Sequence, residues 1–300
     1  MGHPLAESSA AAGAVFRAAD EALGEPISEL CFAGPAEDLD QTLNAQPAIL
    51  ATSIAYLRAL DEAAADLPAP SFYAGHSMGQ YSALVSADVL PLAEALRLVR
   101  ERGRQMQASA SDGAMAAIIG LADDRLAELV AAGESAGIFI VANRNSPGQI
   151  VVSGERAAVE QAVAAAKGLG AKRAVLLPVS VAAHSPLMQR AAEAMRAVLS
   201  TVDFAGPRAP LLANADGRVL ETGDECRAEL VEHLTRGVDW VAAVRAMSDA
   251  GVTRFIEVGP GKVLTGLIKR IAPDAEAFAV DDPSVPGRLA VPTLAAGATS

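Results

Sequence analysis

The pentapeptide Gly75-His76-Ser77-Met78-Gly79 sets a serine between two glycines, after an extended stretch (71–74) and before an apolar helical stretch (78–87). In a strand-to-helix setting this spacing predicts a nucleophile elbow, a tight turn that lifts a serine hydroxyl to the start of a helix. Small flanking residues let the backbone bend. The helix N-terminus behind the turn offers unpaired amides and a positive dipole end, which suit a developing oxyanion. Ser77 is the candidate nucleophile. A glycine-flanked serine can also be a plain strand-to-helix turn, and the flanking strand and helix weigh against that simpler reading.

A nucleophilic serine needs a base. The chain has four histidines. His76 directly precedes Ser77, so its ring points away from the neighbouring hydroxyl. His3 sits at a frayed terminus. His233 lies in a helix-like stretch (229–235), where a solvated or capping role fits. His184 stands in Val179-Ser180-Val181-Ala182-Ala183-His184-Ser185-Pro186 among small neighbours that leave room for approach. Elimination makes it the candidate general base. In the helical stretch 91–108, Leu92, Leu96, Val99, Gly103 and Met106 share one stripe. Arg97 and Arg104 lie away from it and are solvated. Arg100 and Arg102 sit on its edges, Arg102 beside Ala95, Leu98 and Met106. A guanidinium aimed at apolar surroundings wants a carboxylate, which its planar fork binds in bidentate fashion. That carboxylate can belong to a ligand or to an internal ion pair, and the wheel favours neither.

These groups need a scaffold. With 300 residues, 51% of them hydrophobic, the chain can bury a sizeable core and fill one large domain or two. A net charge of −12 argues against phosphate-backbone binding to nucleic acid and against anionic membrane surfaces, and leaves room for an acidic protein partner where a local basic patch exists. The two cysteines, Cys31 and Cys226, form neither a metal spacing nor a disulfide framework, so a reducing cytoplasm is expected. No run of about 18 uncharged apolar residues occurs, and the first residues lack the basic-then-apolar order expected of a signal peptide. No cofactor is called for, and a monomer is expected.

The first third is expected to be helical over 6–22 and 47–65, with Gly34-Pro35-Ala36-Glu37-Asp38 a loop or helix start. The acidic Glu37-Asp38-Leu39-Asp40 is a solvated face. Ser109-Ala110-Ser111-Asp112-Gly113 marks a boundary. Beyond it, strand 114–120, helix 123–136, strands 138–142 and 149–153, helix 155–169 and strand 172–177 follow a βαββαβ order, the ferredoxin-like split unit. Asn143-Arg144-Asn145-Ser146-Pro147-Gly148 is the turn between its middle strands. From residue 182 longer helices return, with one late strand, 254–258. Alternating strands and helices outside the insert imply a mostly parallel α/β sheet. The expected division is a discontinuous large subdomain, 1–112 and 182–300, with a small one, 113–181, inserted, and His184 at the lip of the cleft between them. Gly259-Pro260-Gly261-Lys262 is no P-loop, because Ile256 stands where the motif needs glycine. It opens a helix over 262–271.

The order of motifs carries a resemblance. The elbow, then Tyr81-Ser82-Ala83-Leu84, Arg102-Gly103, Asn145-Ser146-Pro147-Gly148-Gln149, His184 and Glu257-Val258-Gly259-Pro260-Gly261 are similar to the malonyl-CoA:acyl carrier protein transacylases of bacterial fatty acid synthesis. These are relatives of the acyltransferase domains of polyketide synthases, and the likeness spans residues 12–271. It implies an α/β-hydrolase-like large subdomain with a ferredoxin-like insert. It implies a malonyl group passed from malonyl-CoA through a malonyl-serine to the pantetheine thiol of acyl carrier protein. By the resemblance, Ser77 matches the acylated nucleophile, His184 the general base, and Arg102 the arginine that holds the malonyl carboxylate. Met78 matches an oxyanion amide, and Gln46, in Ala45-Gln46-Pro47, a glutamine near the site. His76 joins them among the substrate-binding residues. A main-chain carbonyl from a loop resembling Val238-Asp239-Trp240 is expected to orient the base.

The chain also departs from that pattern. Family members begin with a buried strand and a Gly-Gln-Gly-Ser-Gln loop that supplies the second oxyanion amide, whereas Met1-Gly2-His3-Pro4-Leu5 looks like the sequence just after it. That strand and half of the oxyanion hole are expected to be missing, and the loss of one such donor costs about 2.7–4 kcal/mol of transition-state stabilisation. Gln80 replaces the family's glutamate, a tolerable change past the nucleophile. Ala183 leaves room beside the acyl group, which loosens preference for malonyl over methylmalonyl. The alternatives to acyl transfer are a serine hydrolase or thioesterase, and a truncated, inactive carrier-protein binder. Arg102 speaks against a hydrolase of neutral esters, which has no use for a buried cation at the acyl end.

Overall fold

The apolar stretches of the first third become a helical layer. The computed structural model describes residues 1–64, 66–109, 112–179 and 181–284. Of the expected features, Ala65, Ala110, Ser111, Ser180 and everything after Ser284 lie outside the described residues. The chain opens with α1 (His3–Ser8), α2 (Ala10–Leu23), α3 (Ile27–Ala33) and α4 (Ala36–Leu39). The single helix expected over 6–22 is thus broken. Ser9 adopts an extended conformation, and its hydroxyl caps α2 by accepting from the Ala12 N–H at 3.1 Å. His3 is not frayed: it opens α1, and its ring stacks on Phe32.

Next come α5 (Thr42–Ala63), α6 (Gly79–Ser86) and α7 (Leu92–Ala108). Helix α5 begins a turn before the expected Pro47. The amides of Asn44 and Ala45 both donate to Gln41 O, so the first turn closes before the proline is reached. Helices α2, α5 and α7 share the main apolar core with Phe16, Leu50, Ile54, Leu96 and Val99. Gly103 lets α7 lie close on α5, since a Cβ there would sit 2.7 Å from Leu43 Cα and 2.9 Å from Thr42 O.

The middle third follows as β1 (Gly113–Ile119), α8 (Leu126–Glu134), β2 (Phe139–Ser146), β3 (Gln149–Glu155), α9 (Arg156–Ala166) and β4 (Arg173–Leu176). A 3-10 turn, Asp123–Arg125, occupies the start of the helix expected from 123. The turn expected over 143–148 shrinks to Pro147-Gly148: Asn143 to Ser146 continue β2, and Ser146 faces Gln149 across a tight hairpin with Gly148 at φ 68°. The remainder comprises α10 (Gln189–Leu199), β5 (Leu211–Leu212), β6 (Val219–Leu220), α11 (Gly223–Arg236), β7 (Val238–Asp239), α12 (Trp240–Asp249), β8 (Arg254–Val258), α13 (Val263–Ile271) and β9 (Glu276–Val280).

The largest sheet has the order β4-β1-β3-β2-β7. It is antiparallel through β2, and β7 joins in parallel. Outside it, β8 pairs in parallel with β9, β5 in antiparallel with β6, and the stretch before the elbow contributes a single parallel bridge, Tyr73 to Leu211. The late strand is therefore not alone. Glu257, the penultimate residue of β8, caps α13 by accepting from the amides of Leu264 (3.0 Å) and Thr265 (2.6 Å). Among the described residues no helix is long and apolar enough to cross a membrane.

Alanine at position 103 should gain about 1 kcal/mol in helix propensity but meet backbone atoms that cannot rotate aside, a cost of roughly 1–3 kcal/mol. Gly103→Ala is thus expected to lower stability by about 1 kcal/mol, seen as an earlier urea midpoint at unchanged slope. A later midpoint would show that α5 and α7 can spread without loss.

Candidate active site

The elbow is built as its residue types demand. Tyr73 is held to the strand beside it by Tyr73 N–H to Pro210 O and Leu212 N–H to Tyr73 O, each 2.9 Å. The chain then turns through Ser77, and the amides of Gly79, Gln80 and Tyr81 donate back to His76, Ser77 and Met78 to start α6. A Cβ on Gly75 would fall on the Gly79 carbonyl, so only glycine fits there. Ser77 itself sits at φ 52°, in the left-handed region that non-glycine residues avoid. Met78 caps α6, where an amide has no acceptor within its own helix.

His184 reaches this turn from a loop pinned by Ser185, whose hydroxyl donates to Ala182 O at 2.7 Å. Its Nε2 lies 2.8 Å from Ser77 Oγ. Its Nδ1 donates to the His233 carbonyl at 2.5 Å, which leaves Nε2 unprotonated and ready to accept the serine proton. His184 also holds a positive φ, 60°. Arg102 comes from α7 with 1% of its surface exposed. One nitrogen donates to Gln46 Oε1 at 2.7 Å, and another lies 3.2 Å from Ser77 Oγ and 3.5 Å from His233 Nε2. Among the described residues no carboxylate pairs with it. His76 turns away from the hydroxyl, as its position predicts, and its Nε2 meets Asn145 Oδ1 at 2.9 Å.

Burial governs the charges. It lowers the His184 imidazole to about 3, helped by the Arg102 cation and opposed by the bond to the His233 carbonyl. Burial and then Arg102 also hold His233 well below its ordinary value, and burial lowers His76. The ring nitrogens are thus neutral, while the guanidinium, though burial lowers it too, keeps its proton. A neutral imidazole on a serine hydroxyl, beside a buried cation and a helix start, can take a proton from the serine and hold an anionic acyl group.

Comparison with known proteins agrees with that chemistry. Residues 1–282 match the model of the acyl transferase domain. The chain belongs to the acyl transferase domain family. It is 44% identical over 271 residues to the malonyl CoA-acyl carrier protein transacylase of Escherichia coli K12, covering 90% of this chain and 87% of that one. The crystal structure of an acyl carrier protein S-malonyltransferase from Vibrio cholerae superposes with a TM-score of 0.89 at 42% identity, covering 93% and 91% of the two chains. A malonyl-transacylase in complex with its type II polyketide acyl-carrier protein gives 0.91 at 39% identity, covering 97% and 94%. The α/β fold is that of these acyltransferases.

Within this family member, Ser77, His184, Arg102 and Gln46 meet in one cluster, Met78 follows at the helix start, and His76 lies behind. Two expectations are corrected. The carbonyl that orients His184 belongs to His233, not to the loop at 238–240, because α11 ends against the base and its last turn leaves a carbonyl without an intrahelical donor. His233 is not solvated: its ring lies on the inner face of α11, is fully buried, and its Nδ1 donates to Glu229 O. Sequence reasoning also missed Asn214 and Glu229. Asn214 Oδ1 accepts from the Ser77 N–H at 2.7 Å, and the Glu229 carboxylate accepts from the Asn214 N–H at 2.6 Å. A wheel would have revealed Glu229, since Cys226, Leu230, His233 and Leu234 share its stripe.

These burials predict a pH response. The folded values of His184 and His233 lie below the roughly 6.5 of a free histidine, so the unfolded chain takes up their protons first as pH falls. Their contribution to stability is full above about 6.5 and is lost progressively below it. Glu229 acts oppositely, because burial raises its carboxyl to about 7 from 4.5 and the folded state keeps a proton that the unfolded state releases. Two histidines outweigh one glutamate, and His76 adds to them. Stability should therefore fall by roughly 1 kcal/mol per pH unit between about 6.5 and 4.5. A urea midpoint at pH 5 equal to or above that at pH 7 would mean that these histidines are charged in the fold.

Proposed function

We propose that the protein transfers the malonyl group of malonyl-CoA to the pantetheine thiol of acyl carrier protein, through a malonyl ester on Ser77. The observation that carries this reading is the Arg102 guanidinium, buried with no carboxylate partner among the described residues and 3.2 Å from Ser77 Oγ. A buried cation of this kind is stabilised by an anion arriving with the substrate, and an acyl group with a free carboxylate brings one to the nucleophile.

In the first half-reaction His184 Nε2 takes the Ser77 proton as Oγ attacks the thioester carbonyl. The oxyanion develops at the Met78 amide, the C–S bond breaks, and coenzyme A leaves with the proton from His184. In the second half His184 deprotonates the carrier's thiol, the thiolate attacks the malonyl ester, the C–O bond to Ser77 breaks, and His184 returns the proton to Ser77 Oγ. Gln46 steadies the guanidinium, and His76 ties the elbow to β2. The malonyl carboxylate offsets the charge of Arg102, which is one of the causes holding His184 low, so substrate binding strengthens the base it requires.

The division into a large subdomain, 1–112 with 182–300, and an insert, 113–181, is part of the proposal. In its support, Ala116, Ile118, Leu129, Val152 and Val159 form an apolar cluster of their own. A cytoplasmic setting is supported by two buried, unpaired cysteines and by the use of coenzyme A thioesters.

Malonyl-CoA should add one malonyl mass to the protein, and Ser77→Ala should abolish it. Persistent labelling of Ser77→Ala would refute the nucleophile. His184→Ala should slow acylation about 10²–10⁴-fold. Arg102→Ala separates this reading from a general esterase: loss of a charge-assisted contact worth roughly 1.5–3 kcal/mol should cost about one to two decades of preference for malonyl-CoA over acetyl-CoA. Equal losses for both donors would make Arg102 structural.

A further inference from the structure

Asn214 lies two residues past the end of β5, is 3% exposed, and uses every polar group it has. Its side-chain amide brackets the elbow. Oδ1 accepts from the Ser77 N–H at 2.7 Å, while Nδ2 donates to the Gly75 carbonyl at 2.9 Å. The two peptide groups on either side of His76 are thus held by one planar group. The backbone of Asn214 is fixed in turn. Its N–H donates to Glu229 Oε1 at 2.6 Å, and its carbonyl accepts from the Asp239 N–H at 2.6 Å. Glu229 is fully buried on α11, one helical turn before the His233 carbonyl that holds the base.

Two features give this bracket a role in the reaction. Ser77 rests in a left-handed conformation that its own turn does not favour, and α6 has no side-chain cap of its own; the restraint comes from Asn214. Because the Ser77 N–H is already bonded to Asn214, the Met78 amide is the one left at the elbow for the acyl oxygen. We infer that Asn214 is a positioning residue for acylation, holding Ser77 in its reactive backbone conformation, and that Glu229 is the buried anchor that fixes Asn214. This rests on the assignment of Ser77 as nucleophile.

The test is rapid-quench acylation of the full-length protein at saturating malonyl-CoA, read by intact mass. Asn214→Ala, Asn214→Asp and Glu229→Leu are compared with the native chain, and each is repeated with a fluorophosphonate that reports on Ser77 without an acyl donor. A residue needed only for folding lowers the fraction of molecules that react. A positioning residue lowers the rate constant of those that do. Asn214→Ala should cut that rate constant by at least about 30-fold, in keeping with the cost of a small misplacement of a reacting group. Half-saturation by malonyl-CoA should change by less than about threefold. Asn214→Asp keeps the acceptor for Ser77 and loses the donor to Gly75, so its rate should fall between those of the native chain and Asn214→Ala. Should Asn214→Ala yield no folded protein, Asn214→Asp decides. Glu229→Leu should slow the reaction by about 5-fold or more, since it acts one bond further away. A rate constant within about threefold of native for the deciding Asn214 variant would overturn the positioning role, and the same result for Glu229→Leu would remove the anchor. A native chain that reacts with the fluorophosphonate but not with malonyl-CoA would sink the proposed transfer, while the order of the phosphonate rates would still decide the role of Asn214.

Discussion

A guanidinium that carries full charge with almost no access to water is the constraint around which this site is arranged. Isolated in a protein interior, such a charge is expensive, and it is tolerated only where hydrogen bonds surround it. Here Gln46, Ser77 and His233 share that task, and each answers with a neutral acceptor. The arrangement has a second effect. Burial first, and the fixed cation after it, keep protons off both neighbouring imidazoles, so His184 presents a free lone pair to the serine over the whole physiological range. Binding capacity for an anion comes from the buried charge, and readiness of the base from the same burial with that charge assisting.

The reacting pair is held by its surroundings more than by itself. Ser77 and His184 both occupy left-handed backbone conformations, each at a cost of roughly 1–3 kcal/mol. Neither would persist in an isolated peptide. The restoring contacts come from distant parts of the chain: Asn214 for the serine, and the last turn of α11 for the histidine. Helix α11 takes part twice, through the Glu229 carboxylate and the His233 carbonyl, so its position along its own axis sets the nucleophile and the base together.

What was legible in the sequence follows from what leaves a local trace. The elbow is written in two glycines around a serine, and one of them admits no side chain. Arg102 betrayed itself as a charge on an apolar stripe, and the βαββαβ order through β4 came from alternating periods. The same stripe logic would have found Glu229, an acidic residue among Cys226, Leu230 and Leu234. Asn214 had no such signal, since β5 is two residues long and shows no period. The carbonyl that orients His184 could not be assigned to a residue, because every residue carries one. The missed β9 had a period of two in Glu276-Ala277-Phe278-Ala279-Val280, and its small residues hid it among helix formers. The helix break at Ser9 is a capping event just ahead of the alanine run Ala10-Ala11-Ala12, which composition alone conceals.

Strand β7 has a bearing on how the site can move. It pairs with β2 at Asn143 to Val238 and Arg144 to Asp239, and Asp239 in turn bonds Asn214. One residue further along β2, Asn145 holds His76. The five-stranded sheet is therefore bolted to the elbow by main-chain and side-chain bonds on both sides of the nucleophile. A hinge opening between them would have to unzip that ladder and would drag Ser77 out of line as it did so. A long, thin, freely rotating arm that ends in a thiol, such as the pantetheine of the proposed reaction, can present its sulfur to Ser77 without asking that ladder to open.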